Sequence, residues 1–258
     1  MEHPKDAETR RERILDMLMR NGSVRVAQLS RELETSNVTI RNDLNELANR
    51  RLLTRVHGGA VAKNKTYYYK AFVENDLLNA DHKHEVARAC AASIDDHDIV
   101  MMNSGSTVQL TLKYMRELKD ITILTNSLVI AREAGFYDNM KIICIGGELD
   151  CANQYTYGDD AVAHLGHYHA NKAILSVDGV STAGIFTNKR TESAVCRHMM
   201  GSAEQTVVVA DKSKIGRPAF TVINQLGAVT QLITNEGADE QMVSLLRESG
   251  VDVRLAQS

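Results

Sequence analysis

The stretch "TSNVTIRNDLNELANRRLLTRVHGGAVA", residues 35–62, passes from a helical period to a hairpin signal. Ile40, Leu44 and Leu47 recur at helical spacing, and Ser36 stands where an N-cap hydroxyl would take up a free backbone N–H. At roughly 100° per residue, a helix with those three residues inward leaves Val38, Arg41, Asn42 and Asn45 outward or flanking. Ser36, Asn37 and Thr39 lie at its open N-terminal end. Beyond it two β-prone runs, 53–56 and 60–62, meet around Gly58-Gly59, a pair that tolerates the positive φ of a tight hairpin.

Upstream, Ile14, Leu15, Leu18 and Met19 share one helical face, and Asn21-Gly22 is a stop signal. A second short helix is expected with Ser23 as its cap and Val26, Leu29 and Leu33 as its apolar stripe. Three helices, the last two joined by a tight turn near residues 34–36, predict a helix-turn-helix. The outward face of the third offers hydroxyls, amides and an arginine. Arg can read guanine, Asn adenine, and Thr a thymine methyl. Alone, that face is equally the solvated side of a generic bundle. A basic hairpin directly after it decides for DNA: it reads as a wing, with Arg55 and His57 beside phosphates or the minor groove. The candidate DNA-contacting residues are Arg25, Ser36, Asn37, Thr39, Arg41, Asn42, Arg55 and His57.

Charge is spread unevenly in the same sense. Residues 1–65 carry 13 Lys and Arg against 9 Asp and Glu, whereas the remainder carries 17 against 24. A basic head on an acidic body suits a DNA-facing module attached to something else. The motifs "TIRNDL" (39–44) and "RVHGGAV" (55–61) resemble the N-terminal domain of the DeoR family of bacterial transcriptional regulators, and the resemblance extends over the whole chain.

With 258 residues, 43% of them apolar, the chain is long enough for one large domain or two unequal ones with a real core. No apolar stretch approaches bilayer length, and the N-terminus lacks the apolar core of a signal peptide, so a cytoplasmic protein without membrane partners is expected. Cys90, Cys144, Cys151 and Cys196 are scattered without a CxxC pair and read as free thiols.

The expected organisation is a winged helix-turn-helix over 1–65, a linker over 66–80 and an α/β effector domain over 81–258. Tyr67, Tyr68 and Tyr69 in the linker would stack on bases or pack between domains or subunits. A helix is expected from about residue 82 to 93. After it, strands predicted at 99–102, 121–124, 141–145, 172–177, 206–210, 231–234 and 251–255 alternate with helices at 108–118, 127–134, 159–164, 192–200 and 240–250. That alternation predicts a mostly parallel sheet, whose ligands bind beyond the carboxyl ends of the strands.

Five polar motifs follow strands: "NSGST" (103–107), "TNS" (125–127), "GGE" (146–148), "SVDGVS" (176–181) and "ADKSKIG" (210–216). In the first, Gly105 allows close approach of an anion, Ser106 and Thr107 add hydroxyls, and the following helix adds its positive end. Lys214 supplies positive charge, and Asp178 and Glu192 accept from sugar hydroxyls. The candidate effector site is Ser104, Gly105, Ser106, Thr107, Thr125, Asn126, Ser127, Gly146, Gly147, Asp178, Gly179, Glu192 and Lys214.

This half resembles the sugar-phosphate-binding domain of DeoR-type regulators, which is similar in turn to ribose-5-phosphate isomerase. The resemblance implies a phosphate on Gly105-Ser106-Thr107, a carboxylate at Asp178-Gly179 and closure by Ser213-Lys214. The isomerases' second carboxylate is replaced by Ser181, and their glycine-rich lysine loop by "STAGIFTNKRTE". Isomerisation needs both an acid and a base, so a pocket that binds without turnover is expected, with no catalytic residue and no cofactor. His164, His167 and His169 match no zinc spacing, and no GxGxxG or Walker loop occurs.

The reading is a DNA-binding transcriptional regulator of sugar-metabolism genes, a repressor, released by a phosphorylated sugar and acting as a homo-oligomer, dimer or tetramer, on double-stranded operator DNA. The alternative is a sugar-phosphate isomerase or transferase with an accessory DNA-binding head. A protein-interaction module is a third class, distinguished by lacking salt-dependent DNA affinity.

Overall fold

The computed structural model describes residues 7–21, 23–50, 52–62 and 79–257. The chain divides into two units, Met1–Leu77 and Leu78–Ser258, a division that falls within the expected linker. Tyr67, Tyr68, Tyr69, Gly22 and the side chain of Met19 lie outside the described residues.

The first unit runs α1 (Ala7–Asn21), β1 (Ser23–Arg25), α2 (Val26–Glu32), α3 (Asn37–Asn49), β2 (Leu53–Val56) and β3 (Gly59–Ala62). The apolar stripes close one core: Ile14, Leu18, Val26, Leu29, Leu33, Ile40, Leu44 and Leu47 are buried together. The α2–α3 turn is fixed locally. Glu34 takes a left-handed φ of 48°, Thr35 donates its N–H to the Ser30 carbonyl at 3.1 Å, and the Ser30 hydroxyl donates to the Thr35 carbonyl at 2.6 Å. Ser36 caps α3, its Oγ accepting the Thr39 N–H at 3.1 Å.

Ser23 is not a helix cap. It opens β1, which pairs antiparallel with the wing strand β3, Val24 opposite Ala60, so the sheet order is β1-β3-β2. Only Val24 of the three points inward, a period of two that claims the segment for a strand, and α2 begins at Val26 without a side-chain cap. The pairing explains both glycines of the hairpin. Gly58 adopts φ 76°, and a Cβ on Gly59 would lie 2.1 Å from the Val24 carbonyl oxygen.

The second unit begins with α4 (Ala80–Ala91) and is built on a seven-stranded sheet. Its strands are β4 (Ile99–Met102), β5 (Ile121–Thr125), β6 (Met140–Cys144), β9 (Ala170–Ser176), β12 (Ala203–Val209), β14 (Gln231–Asn235) and β15 (Asp252–Ala256). Every pairing is parallel, in the order β15-β14-β12-β9-β4-β5-β6. Side chains alternate between two cores: Val100 and Met102 share one, Met101 the other. α4, α5 (Ser106–Thr111) and α6 (Leu128–Ala134) cover the first face. α7 (Asp159–Leu165), α8 (Arg190–Gly201) and α9 (Glu240–Glu248) cover the second. Burial on both faces is why the inner strands read as near-continuous apolar runs.

Two features depart from expectation. The helix expected over 108–118 ends as α5 at Thr111 and continues as a 3-10 turn, Leu112–Tyr114. The Asn139 amide donates to the carbonyls of Leu118, Met115 and Arg116 at 2.6, 3.3 and 3.3 Å and fixes that segment as a turn. Segments for which no strand is predicted form extra strands. β7 (Glu148–Asp150) pairs with β8 (Tyr155–Tyr157), while β10 (Gly179–Ser181), β11 (Gly184–Thr187) and β13 (Thr221–Asn224) make an antiparallel sheet.

Candidate functional site

On the first unit, α3 presents Asn37, Val38, Arg41, Asn42 and Asn45 to solvent, Val38 at 63% exposure. Ser36 and Arg25 are exposed as well, and Thr39 is half-buried, its hydroxyl 2.9 Å from that of Ser36. His57 is exposed at the wing. Arg55 also ties the wing to α3, its Nε donating to the Asn45 Oδ1 at 3.0 Å and its Nη1 to the Gly59 carbonyl. Asp43, within the TIRNDL motif, is 2% exposed and carries a structural role that helical periodicity does not single out. Its carboxylate accepts from Arg10 Nε at 2.6 Å and Arg11 Nε at 3.0 Å, pinning α1 to α3 and fixing the angle at which α3 stands out.

On the second unit the five motifs follow β4, β5, β6, β9 and β12, and a parallel sheet brings those ends to one edge. Asn103 joins two of them: its Nδ2 donates to the Ser176 carbonyl and its Oδ1 accepts the Ser176 N–H, each at 2.9 Å. Gly105 is required by this approach, since a Cβ there would sit 2.1 Å from the Ser176 Cβ. Ser104 donates its hydroxyl to Glu192 Oε1 at 2.8 Å. Asp178 accepts from the Asn188 N–H at 2.7 Å and the Thr187 hydroxyl at 3.3 Å, and Lys214 Nζ faces it at 4.0 Å. Lys189 Nζ faces Glu192 Oε2 at 3.9 Å and lies 5.1 Å from the centre of the Tyr155 ring. Two lysine–carboxylate pairs therefore share the turn at 187–189. Ser106 is half-buried, and Thr107 is buried.

The electrostatics of Glu192 follow from burial, which raises its carboxyl above the usual range; Lys189 and the Ser104 bond oppose the rise, and Asp178 adds to it. Burial likewise pushes the Tyr155 phenol up, and its hydroxyl meets Thr191 Oγ1 at 3.0 Å.

The other expected residues are occupied structurally. Thr125 donates its hydroxyl to the Met102 carbonyl at 2.7 Å, and Ser127 caps α6. Gly146 donates its N–H to His164 Nδ1 at 3.2 Å, and Gly147, at φ 129°, packs against β8 and α7. A Cβ on Gly179 would meet the Arg217 carbonyl. Asn126 donates Nδ2 to the Thr156 carbonyl at 2.8 Å, while its buried Oδ1 has no hydrogen-bond partner among the described residues. Sequence reasoning misses Lys189 and Tyr155. The signal available is a lysine three residues before Glu192, on the same helical turn.

Among the described residues no three His, Cys, Asp or Glu side chains gather to hold a metal, and no helix is long and apolar enough to cross a membrane.

Residues 10–66 match the DeoR-like helix-turn-helix domain, and residues 78–236 match the DeoR C terminal sensor domain. The chain belongs to the DeoR family. Among its DeoR-family relatives, the putative aga operon transcriptional repressor of Escherichia coli O157:H7 is 32% identical, over 95% of this chain and 93% of that one. The HTH-type transcriptional repressor GlcR of Bacillus subtilis (strain 168) is 28% identical, over 95% and 94%. The lactose phosphotransferase system repressor of Streptococcus mutans is 28% identical, over 92% and 96%. Two of these relatives are named as transcriptional repressors and the third as a repressor, and the match to a helix-turn-helix domain makes this chain a DNA-binding regulator with a sensor domain. Likeness to solved structures is distant: ribose 5-phosphate isomerase from Plasmodium falciparum is 15% identical over 51% of each chain, with a TM-score of 0.38.

Proposed function

We propose that this protein represses sugar-metabolism genes by holding operator DNA with α3 and the wing, and lets go when a phosphorylated sugar occupies the crevice around Ser104, Glu192, Asp178 and Lys214. The carrying observation is the pair of loosely closed lysine–carboxylate contacts, 3.9 and 4.0 Å, at the carboxyl edge of the sheet. Lys214 and Asp178 are each about one-third exposed, at 35% and 32%, and so remain open to a ligand. Lysines suit a phosphate, and carboxylates suit sugar hydroxyls. The Ser104–Thr107 turn supplies hydroxyls and backbone N–H groups for the phosphate. Two copies would read two operator half-sites.

The test is a thermal-shift screen with ribose 5-phosphate, glucose 6-phosphate and fructose 6-phosphate, followed by titration of the DNA complex. A stabilising sugar phosphate should also release DNA. Binding without release, or release without binding, refutes the reading.

Glu192 supports a second reading, sugar-phosphate isomerisation, because a buried carboxyl with a raised pKa is suited to proton transfer. Conversion of any of these compounds by the pure protein would favour it.

A further inference from the structure

We infer that Asn79 is a positioning residue that ties the lysine turn of the crevice to the point where the chain from the DNA-binding unit enters the sensor unit. The inference rests on the effector reading above. The sensor unit begins at Leu78, so α4 is the first element met by chain arriving from residues 1–77.

Asn79 precedes α4 in the left-handed conformation, φ 58°, and its side chain does not cap its own helix. The amide Nδ2 instead reaches Asp211 Oδ1 and Ser213 Oγ, 3.4 Å from each. A second amide secures the same junction. Asn235, 1% exposed at the end of β14, donates Nδ2 to the His82 carbonyl at 2.9 Å and to Glu85 Oε2 at 2.6 Å. Its Oδ1 accepts the Lys212 N–H at 3.1 Å. The start of α4 is thus bonded, through these two amides, to three of the four residues of the turn 211–214.

That turn is a short 3-10 segment, Lys212–Lys214, closed by the Ser213 N–H on Asp211 Oδ1 at 2.9 Å. Lys214, its last residue, is the one that faces Asp178. An anion that draws Lys214 away from Asp178 moves a tightly closed turn, and Ser213 and Asp211 move with it. The Asn79 bonds then lengthen or α4 follows. A ligand shifts an equilibrium only through interactions that differ between two states. The Asn79 amide supplies such a difference where the linker arrives.

Asn79→Gly isolates the side chain, because glycine holds a left-handed φ without strain while removing the amide. The full-length variant is bound to a DNA duplex selected from a random library by the wild-type protein, then titrated with the three sugar phosphates named above. It should keep wild-type DNA affinity without ligand and the wild-type thermal shift with sugar phosphate, while the concentration giving half-release rises about tenfold or more, equal to a coupling loss of about 1.4 kcal/mol or more. Release at the wild-type concentration overturns the inference. If none of the three releases the wild-type protein, the effector reading fails instead, and the tie is judged without ligand by hydrogen exchange of amides 83–86. Ser213→Ala should then speed exchange in the wild-type background and add nothing in Asn79→Gly; additive effects overturn the inference.

Discussion

Ser104 donates its hydroxyl to Glu192 across 2.8 Å, binding the turn after β4 to the first turn of α8, residues 88 apart in sequence. The bond holds a buried carboxyl at the carboxyl edge of the sheet, and the cost of that placement is measurable.

Glu192→Gln should stabilise the sensor unit at neutral pH. The folded carboxyl has a pKa raised by burial, so the folded state holds its proton more tightly than the unfolded chain. Its contribution is therefore most favourable below the unfolded value of 4.5 and is lost as pH rises through the folded pKa. The gain in melting temperature from the substitution should be largest above that point and should vanish near pH 4. Melting curves across pH check this; a gain that does not change with pH refutes it.

Lys214→Ala should weaken sugar-phosphate binding while leaving ligand-free DNA affinity unchanged. A charge-assisted hydrogen bond is worth about 1.5–3 kcal/mol, so affinity should fall at least about tenfold. Calorimetric titration provides the number. Lys189→Ala should do the same if both lysine–carboxylate pairs line one crevice, and its effect tests a residue that lies outside the strand-following motifs.

Arg41→Ala should reduce affinity for a selected duplex by about 1–3 kcal/mol and relax base preference at one position. Val38, beside it on the same exposed face, should tolerate Ala far better at the level of affinity. Band-shift titrations on the selected duplex and on single-base variants distinguish the two outcomes.

Asp43→Ala should lower the stability of the first unit by about 1–3 kcal/mol, because it leaves Arg10 and Arg11 without their shared acceptor. Ser36→Ala removes only a cap and should cost about 1 kcal/mol. Urea unfolding followed by helical signal orders them; unchanged stability in Asp43→Ala would mean that the α1–α3 ion pairs are dispensable.

Alkylation at pH 8 should modify Cys144 and Cys151, which are exposed, and spare Cys90 and Cys196, which are buried. Burial pushes the Cys90 thiol up to about 12 and Cys196 higher still, so neither is a thiolate at that pH. Mass spectrometry of the intact protein should show two adducts.

The inner strands of the parallel sheet are legible in the sequence because they are buried on both faces and so read as apolar runs, as in 99–102 and 206–210, whereas the edge strands β6 and β15 are partly exposed and carry charged residues. The recognition helix is legible because Ile40, Leu44 and Leu47 are close in sequence and Ser36 acts locally. What fails to show is set by partners distant in the chain. β1 is three residues whose strand character depends on β3, and β11 is half of a pairing completed by β13. The same limit governs the candidate site. Gly105, Asp178, Glu192 and Lys214 stand out by chemistry, but the hydroxyls of Thr125 and Ser127 turn inward to a carbonyl and a helix end. Lys189 follows β11, a four-residue strand whose Ile185-Phe186 run is too short to be read from its own residues.

The three residues Ser23–Arg25 make the wing inseparable from the chain ahead of α2. A chimera that transplants α3 and the hairpin keeps this fit only with glycine at position 59, since a Cβ there would lie 2.1 Å from the Val24 carbonyl oxygen. Exchange of operator preference between such regulators is therefore constrained at position 59, where the donor hairpin must carry glycine whether the graft starts at residue 23 or at residue 35.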